Sequence, residues 1–170
     1  PSPYMTPKLM LDLSNQVQEL LNRDDITGVV VTHGTDTLEE SAYFLDLTLK
    51  SQKPVIITGA MRSSSELGYD GPFNLASSIC TAISDDARNR GVLVCFNGEL
   101  HSACEVTKRN SMALNAFSTP NFGPIGIVDN NKVIFYRNNP ESIHMKIESI
   151  DKDVAIIKCS AGSDSKFIDF

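Results

Sequence analysis

Gly28-Val29-Val30-Val31-Thr32-His33-Gly34-Thr35-Asp36-Thr37-Leu38-Glu39-Glu40 compresses a strand, a turn and a helix start into one stretch. Val29-Val30-Val31 is a short, unbroken β-branched run of the kind found in parallel strands covered on both faces. That strand ends at Thr32. Thr37-Leu38-Glu39-Glu40 reads as a capping box, in which the threonine and the glutamate three residues later satisfy each other's backbone donors at a helix start. Leu38, Ala42, Leu45 and Leu49 then give the helix an apolar stripe as far as Lys50.

Outward from this unit the pattern repeats. Upstream, Thr6-Pro7 places a capping hydroxyl before a first-turn proline, and Met10, Leu13, Val17, Leu20 and Leu21 recur at helical spacing to about Asn22. Downstream, Lys53-Pro54 resets the chain into the strand Val55 to Thr58. A polar loop follows from Gly59 to Gly71, then a third helix marked by Leu75, Ala76, Ile79 and Ile83, and a buried strand from Gly91 to Phe96. The alternation predicts an α/β fold: a doubly wound, mainly parallel sheet with helices on both faces and right-handed crossovers. Short strands around Ile125 to Val128 and Lys132 to Tyr136 predict a small antiparallel edge near the C-terminal third. Three segments result: a domain over 1–136, a polar linker over 137–153 containing Asn138-Asn139-Pro140, and the start of a second unit over 154–170, opening on a strand from Val154 to Cys159.

With 170 residues, 41% apolar and 21% charged, the chain has the composition of a folding globular domain. Its formal charge of −6 carries no basic cluster, which argues against nucleic acid and against a membrane surface as partners. Cys80, Cys95, Cys104 and Cys159 form no CxxC pair and have no metal-ligand spacing, so reduced core thiols are expected, and no cofactor. The start Pro1-Ser2-Pro3-Tyr4 has neither a basic segment nor an apolar signal core, and the expected compartment is the cytoplasm. Neither GxGxxG nor GxxxxGK[ST] follows any strand, which disfavours a nucleotide site.

In an open parallel sheet, ligands bind beyond the carboxyl ends of the strands. The turn Thr32 to Thr37 lies there. Free N–H groups and the positive dipole end of the next helix suit a carboxylate, while Asp36 suits an ammonium, so the pair fits a zwitterionic α-amino acid. A purely structural reading competes, because Asp and Thr beside a helix start are common caps.

Residues 28–38 resemble the second active-site signature of the bacterial-type asparaginase and glutaminase family. The similarity runs on through Glu39 to Leu47, Lys53-Pro54, Thr58-Gly59-Ala60-Met61-Arg62, Asp70-Gly71-Pro72-Phe73-Asn74-Leu75, Asn89 to Val94, Val106-Thr107-Lys108 and Phe122 to Gly126. The resemblance implies hydrolysis of L-asparagine, and of L-glutamine in some members, to the acid and ammonia through a threonine nucleophile, without metal or cofactor. It also implies a homo-oligomeric parent, a tetramer or dimer. Such enzymes use two threonine centres. The first lies in a Thr-Gly-Gly-Thr-Ile segment that does not occur in this sequence, so the expectation is an N-terminal domain without its first segment, inactive alone.

The second centre maps onto Thr35, Asp36 and Lys108. A threonine hydroxyl is a weak nucleophile unless a neighbouring base takes its proton. Lys108 is the implied base or proton relay, and Asp36 the group that holds the substrate ammonium and orients the lysine. Ser2, with Gly34, Thr35 and Asp36, is implied to grip the α-carboxylate, and Ala60 to present its carbonyl to the side-chain amide. Pro3 replaces the glutamine of many relatives. His33 has no implied role as a base, and Asp70-Gly71-Pro72 reads as a turn before the third helix. Exported relatives carry a disulfide whose positions correspond to Arg23 and Ser51, so that bridge is impossible here. The alternatives are an amino-acid-binding module without turnover, or the asparaginase-like subunit of a transfer-RNA-dependent amidotransferase.

Overall fold

The computed structural model describes residues 2–140 and 143–167. Helix α1 (Pro7–Leu21) begins as its sequence predicts, with Thr6 Oγ1 accepting from the Leu9 N–H at 3.3 Å and proline in the first turn. Lys53 closes the far end of that helix, its ammonium donating to the Leu21 and Arg23 carbonyls at 2.8 and 2.5 Å. Strand β1 (Val29–Thr32), helix α2 (Leu38–Thr48), strand β2 (Val55–Thr58), helix α3 (Gly71–Ala82) and strand β3 (Val92–Phe96) then alternate. The three strands are parallel and in register, Val30 beside Ile56 and Ile56 beside Leu93.

After β3 the direction reverses. Strand β4 (Glu99–Ser102) folds back against β3. Strands β5 (Thr107–Lys108) and β6 (Phe117–Ser118) leave the sheet and pair with each other as a two-stranded ribbon. Strands β7 (Gly126–Asp129) and β8 (Lys132–Phe135) return, completing a six-stranded sheet in the order β1-β2-β3-β4-β7-β8. The doubly wound parallel half and the antiparallel edge are both present.

Because side chains alternate across a strand, the two faces are distinct. Val55, Ile57, Val94 and Phe96 point toward α1 and α2, meeting Val17, Leu21, Leu38, Ala42 and Leu45. Ile56, Leu93 and Cys95 point the other way, toward Ala82 of α3 and toward Leu100 and Ile125. Each fully buried Ile or Leu contributes roughly 1.5–3 kcal/mol, so this core carries the domain.

Several details differ from the sequence reading. Thr37 precedes α2 but makes no side-chain cap; its hydroxyl donates instead to the Ser2 carbonyl at 2.9 Å, so the capping box does not close. Helix α2 stops at Thr48, because Leu49 is already extended. In α3 the apolar stripe of Leu75, Ile79 and Ile83 is exposed, while Asn74, Ser77, Ser78 and Thr81 are buried. The Ser78 and Thr81 hydroxyls donate to the carbonyls of Asn74 and Ser77 at 2.7 and 2.8 Å, which removes the penalty of burying them. Strand β4 lies outside the strands expected from sequence, and the turn that makes it is Asn97-Gly98, both at positive φ, a strong two-residue hairpin signal. Asn130-Asn131 turns β7 into β8 in the same way. Among the cysteines only Cys95 is buried; Cys80 is half-buried, while Cys104 and Cys159 are exposed, in a turn and in an irregular segment. Burial pushes the Cys95 thiol up to about 12.

Residues 154–159 form no strand, since no neighbouring edge offers them hydrogen bonds, and Val154 and Ile156 are 87% and 94% exposed. The expected linker and second unit also include residues 141–142 and 168–170, which lie outside the described residues. Met145 N–H donates to the Leu47 carbonyl at 2.7 Å, tying the irregular segment to the end of α2.

His101 on β4 is fully buried, with Nδ1 3.0 Å from Thr119 Oγ1. Burial, and secondarily the Arg137 guanidinium, push its pKa down to about 4. At neutral pH it is therefore uncharged, and its Nε2, 3.4 Å from the Glu99 carboxylate, forms no ion pair. A folded-state value below the unfolded 6.5 means that the unfolded chain binds the extra proton first. The stability is complete above pH 6.5 and is lost as pH falls toward 4, by about 3 kcal/mol at most. Urea unfolding of wild type and His101→Gln between pH 7 and 4 checks this, the variant losing less stability over that interval.

Candidate active site

The carboxyl ends of β1, β2 and β3 lie at one edge of the sheet, so their following loops are neighbours. Hydrogen bonds hold them together: His33 N–H donates to the Thr58 carbonyl at 2.7 Å, and the Thr58 hydroxyl to the Cys95 carbonyl at 2.6 Å. A Cβ on Gly59 would strike the His33 carbonyl oxygen, so only glycine fits where these strand ends meet.

The turn after β1 is braced from within. His33 Nδ1 lies 2.7 Å from the Gly34 carbonyl and Nε2 lies 3.0 Å from Ser41 Oγ on α2. A carbonyl only accepts, so Nδ1 carries the hydrogen and Nε2 accepts from the serine. Both ring nitrogens are engaged in holding the turn against the helix.

Ser2, in a 3-10 turn over Ser2–Tyr4, reaches this turn from 34 residues away. Its hydroxyl accepts from the Asp36 N–H at 3.1 Å and donates to Asp36 Oδ2 at 3.3 Å, while its carbonyl accepts from Thr37. Gly34 makes that approach possible, because a Cβ there would sit 2.6 Å from Ser2 Oγ and 2.8 Å from Ser2 Cβ.

Lys108 arrives from β5. Its ammonium donates to Thr35 Oγ1 at 2.9 Å and to Asp36 Oδ1 at 3.3 Å. The lysine side chain is 17% exposed and that of Asp36 59%, so the cluster is buried on the lysine side and open on the carboxylate side. An ammonium in contact with both a hydroxyl and a carboxylate forms a relay through which a proton can move, and the open carboxylate leaves room for a ligand cation. The main chain of Lys108 is held as well: its N–H and the Thr107 hydroxyl both donate to Glu39 on α2, the latter at 3.2 Å.

Ser2, Gly34, Thr35, Asp36 and Lys108 are thus brought together. Ala60 belongs to the neighbouring loop, after β2. It lines an adjoining cavity with Thr32, His33, Thr58, Gly59 and Tyr69. Its loop is pinned by two side chains that local sequence does not mark as site residues: buried Asp70 accepts from the Met61 N–H at 3.0 Å and the Arg62 N–H at 3.0 Å. Asn74 donates to the Gly59 carbonyl at 3.0 Å and to Asp70 at 2.9 Å, and accepts from Asn97 N–H at 2.9 Å. Asp70 is therefore more than a turn residue; with Asn74 it ties the loops after β2 and β3 together. Glu39 also went unread as a site residue, since nothing local points to a partner 69 positions away.

A family model described as "Asparaginase, N-terminal" matches residues 1–141. The chain is 44% identical over 140 residues to a probable periplasmic L-asparaginase of Haemophilus influenzae, covering 82% of this chain and 39% of that protein. It is 37% identical over 168 residues to an L-asparaginase of Bacillus licheniformis, covering 99% and 52%. The crystal structure of a probable cytoplasmic L-asparaginase from Campylobacter jejuni superimposes with a TM-score of 0.80 at 43% identity, covering 83% of this chain and 45% of that one. The chain spans between about two fifths and half the length of these relatives.

The close approach at Gly34 gives a direct test. Gly34→Ala expels Ser2 from Asp36 while leaving the core untouched, so amide hydrogen exchange at Asp36 accelerates about tenfold, the factor for loss of about 1.4 kcal/mol of protection. Exchange at Val94 in β3 stays unchanged.

Proposed function

The chain belongs to the asparaginase family through its N-terminal domain, and from that premise we propose that it carries the Thr35–Asp36–Lys108 half of the active site of an L-asparagine amidohydrolase. The observation that carries this reading is the Lys108 ammonium 2.9 Å from Thr35 Oγ1 and 3.3 Å from Asp36.

In the proposed reaction the side-chain amide of L-asparagine loses ammonia and gains water. The first threonine centre, supplied from outside these 170 residues, takes the acyl group. Asp36 holds the substrate ammonium on its exposed side. Ser2 and the backbone around Gly34 hold the α-carboxylate; to do so, the Ser2 hydroxyl turns its hydrogen from Asp36 Oδ2 to the ligand. Lys108, once it has released a proton, accepts the Thr35 hydroxyl proton, and Thr35 in turn takes one from the attacking oxygen. That relay returns the proton to the departing nitrogen, ammonia leaves, and water then cleaves the acyl-threonine ester, one of its protons returning to the threonine oxygen, to release L-aspartate. Ala60 presents its carbonyl to the amide nitrogen, which requires the loop held by Asp70 and Asn74 to face the completed site.

The same reading divides the parent into a catalytic domain over 1–136, a linker over 137–153 and a second domain beginning at 154, in a homo-oligomer. Four free cysteines among the described residues and the likeness to a probable cytoplasmic L-asparaginase from Campylobacter jejuni support the cytoplasm as its compartment. A second reading, an amino-acid-binding module without turnover, is favoured by one feature: Ser2 and Gly34 stand against Asp36, whose carboxylate is open to solvent.

Two experiments test the proposal. In calorimetry this chain binds L-aspartate and releases no ammonia from L-asparagine; turnover by this chain alone contradicts the two-centre assignment. In the full-length protein Thr35→Ala and Lys108→Ala each lower kcat by roughly a hundredfold or more, as loss of a nucleophile or base does elsewhere, whereas Asp36→Ala also raises KM. A full-length protein that binds asparagine without turning it over supports the binding module instead.

A further inference from the structure

We propose that Glu39 is the positioning residue that holds Lys108 against Thr35; this rests on the asparaginase reading of the site. Lys108 belongs to a two-residue strand in a ribbon separate from the main sheet, and two-stranded ribbons are marginally stable by themselves. Its side chain has four rotatable bonds, and immobilising such a chain costs rotamer entropy. Phe117 of β6 seats the ribbon on the core, its ring 4.6 Å from that of Phe96, but β5 itself is only half-buried and takes its hold toward the turn from polar contacts. The main chain therefore has to be fixed first.

Glu39 is built to fix it. It sits in the first turn of α2, one helical turn beyond Thr35. Its two carboxylate oxygens take two donors from consecutive residues of β5, the Thr107 hydroxyl at 3.2 Å and the Lys108 N–H. This two-point grip sets the Lys108 backbone against the same turn and helix start that carry Thr35, so both ends of the lysine are referenced to one rigid element. A carboxylate at this point is also favoured by the helix dipole, and charged acceptors make the stronger hydrogen bonds. The neighbouring Glu40 is exposed and shares the dipole without contacting β5, which makes it a control.

Geometry, not charge, is the essential part. A glutamine at position 39 can offer its oxygen to the Lys108 N–H and its amide hydrogens to Thr107 Oγ1, the hydroxyl then accepting, so both contacts survive. Alanine loses both.

Steady-state kinetics of the full-length protein separate the possibilities. Glu39→Ala lowers kcat about 10- to 100-fold with KM within about threefold, the effect of misplacing a reacting group by about an ångström. Glu39→Gln stays within about threefold of wild type with an unshifted pH–rate profile, and Glu40→Ala is unchanged. In this chain, the nuclear Overhauser contact between the Lys108 ε-methylene and Thr35 disappears in Glu39→Ala and persists in Glu39→Gln. Should Glu39→Ala fail to fold, Thr107→Val removes one of the two contacts and lowers kcat by a smaller factor. Wild-type kcat in Glu39→Ala, or equal losses with a shifted pH profile in both the Ala and Gln variants, overturns the positioning role. If instead Thr35→Ala and Lys108→Ala keep wild-type kcat, the asparaginase reading of the site has failed, a result distinct from the failure of Glu39 alone.

Discussion

Lys108 Nζ and Thr35 Oγ1 meet at 2.9 Å across 73 positions of sequence, and the architecture around them is arranged to make that contact. Three parallel strands end at one edge and deliver the turn that carries Thr35. The reversal after β3 sends the chain out to the ribbon that carries Lys108. Glycine occurs where chain segments must nearly touch, at Gly59 against the His33 carbonyl and at Gly34 against the Ser2 side chain. A substitution at either position is paid for by displacing a loop rather than by opening a hole in the core.

The parallel half of the fold was legible because its signals are local and strong. Val29 to Val31 and Val55 to Ile57 are continuous apolar runs, and Thr6-Pro7 caps α1 as its chemistry dictates. The antiparallel edge was legible at β7 and β8 but not at β4, although the Asn97-Gly98 turn was available as a cue. Strands β5 and β6, of two residues each, carry no periodicity from which they could be read. The segment 154–159 has strand composition without strand structure, because pairing depends on a neighbouring edge and not on the run of residues alone.

Helix α3 shows a local preference yielding to the needs of the site. Its apolar residues Leu75, Ile79 and Ile83 are exposed, while Asn74, Ser77, Ser78 and Thr81 face the sheet. A helix read from hydrophobicity alone would be turned the other way. Turned as it is, α3 brings the Asn74 amide to the Gly59 carbonyl and the Asn97 N–H, and places Asp70 under the Met61 and Arg62 amides. Burying these groups is tolerable because each is satisfied. Such conflicts between local pattern and final packing are expected where loops must be held for function.

The same logic explains which site residues the sequence revealed. Gly34, Thr35 and Asp36 stand in one contiguous stretch between a strand and a helix, so their residue types and order can be recognised. Their supports cannot, because most act on backbone groups: Thr37 on the Ser2 carbonyl, Glu39 on the Lys108 N–H, Asp70 on two main-chain amides, Asn74 on Gly59 and Asn97. Every residue but proline offers the same N–H and every residue the same C=O, so a side chain that grips the main chain leaves no complementary residue type at the other end. Only the fold identifies the partner. Thr37 illustrates the point in miniature, since a hydroxyl three residues before a glutamate suits a helix cap equally well, and only the arrival of Ser2 from 35 positions away decides that it binds a distant carbonyl instead.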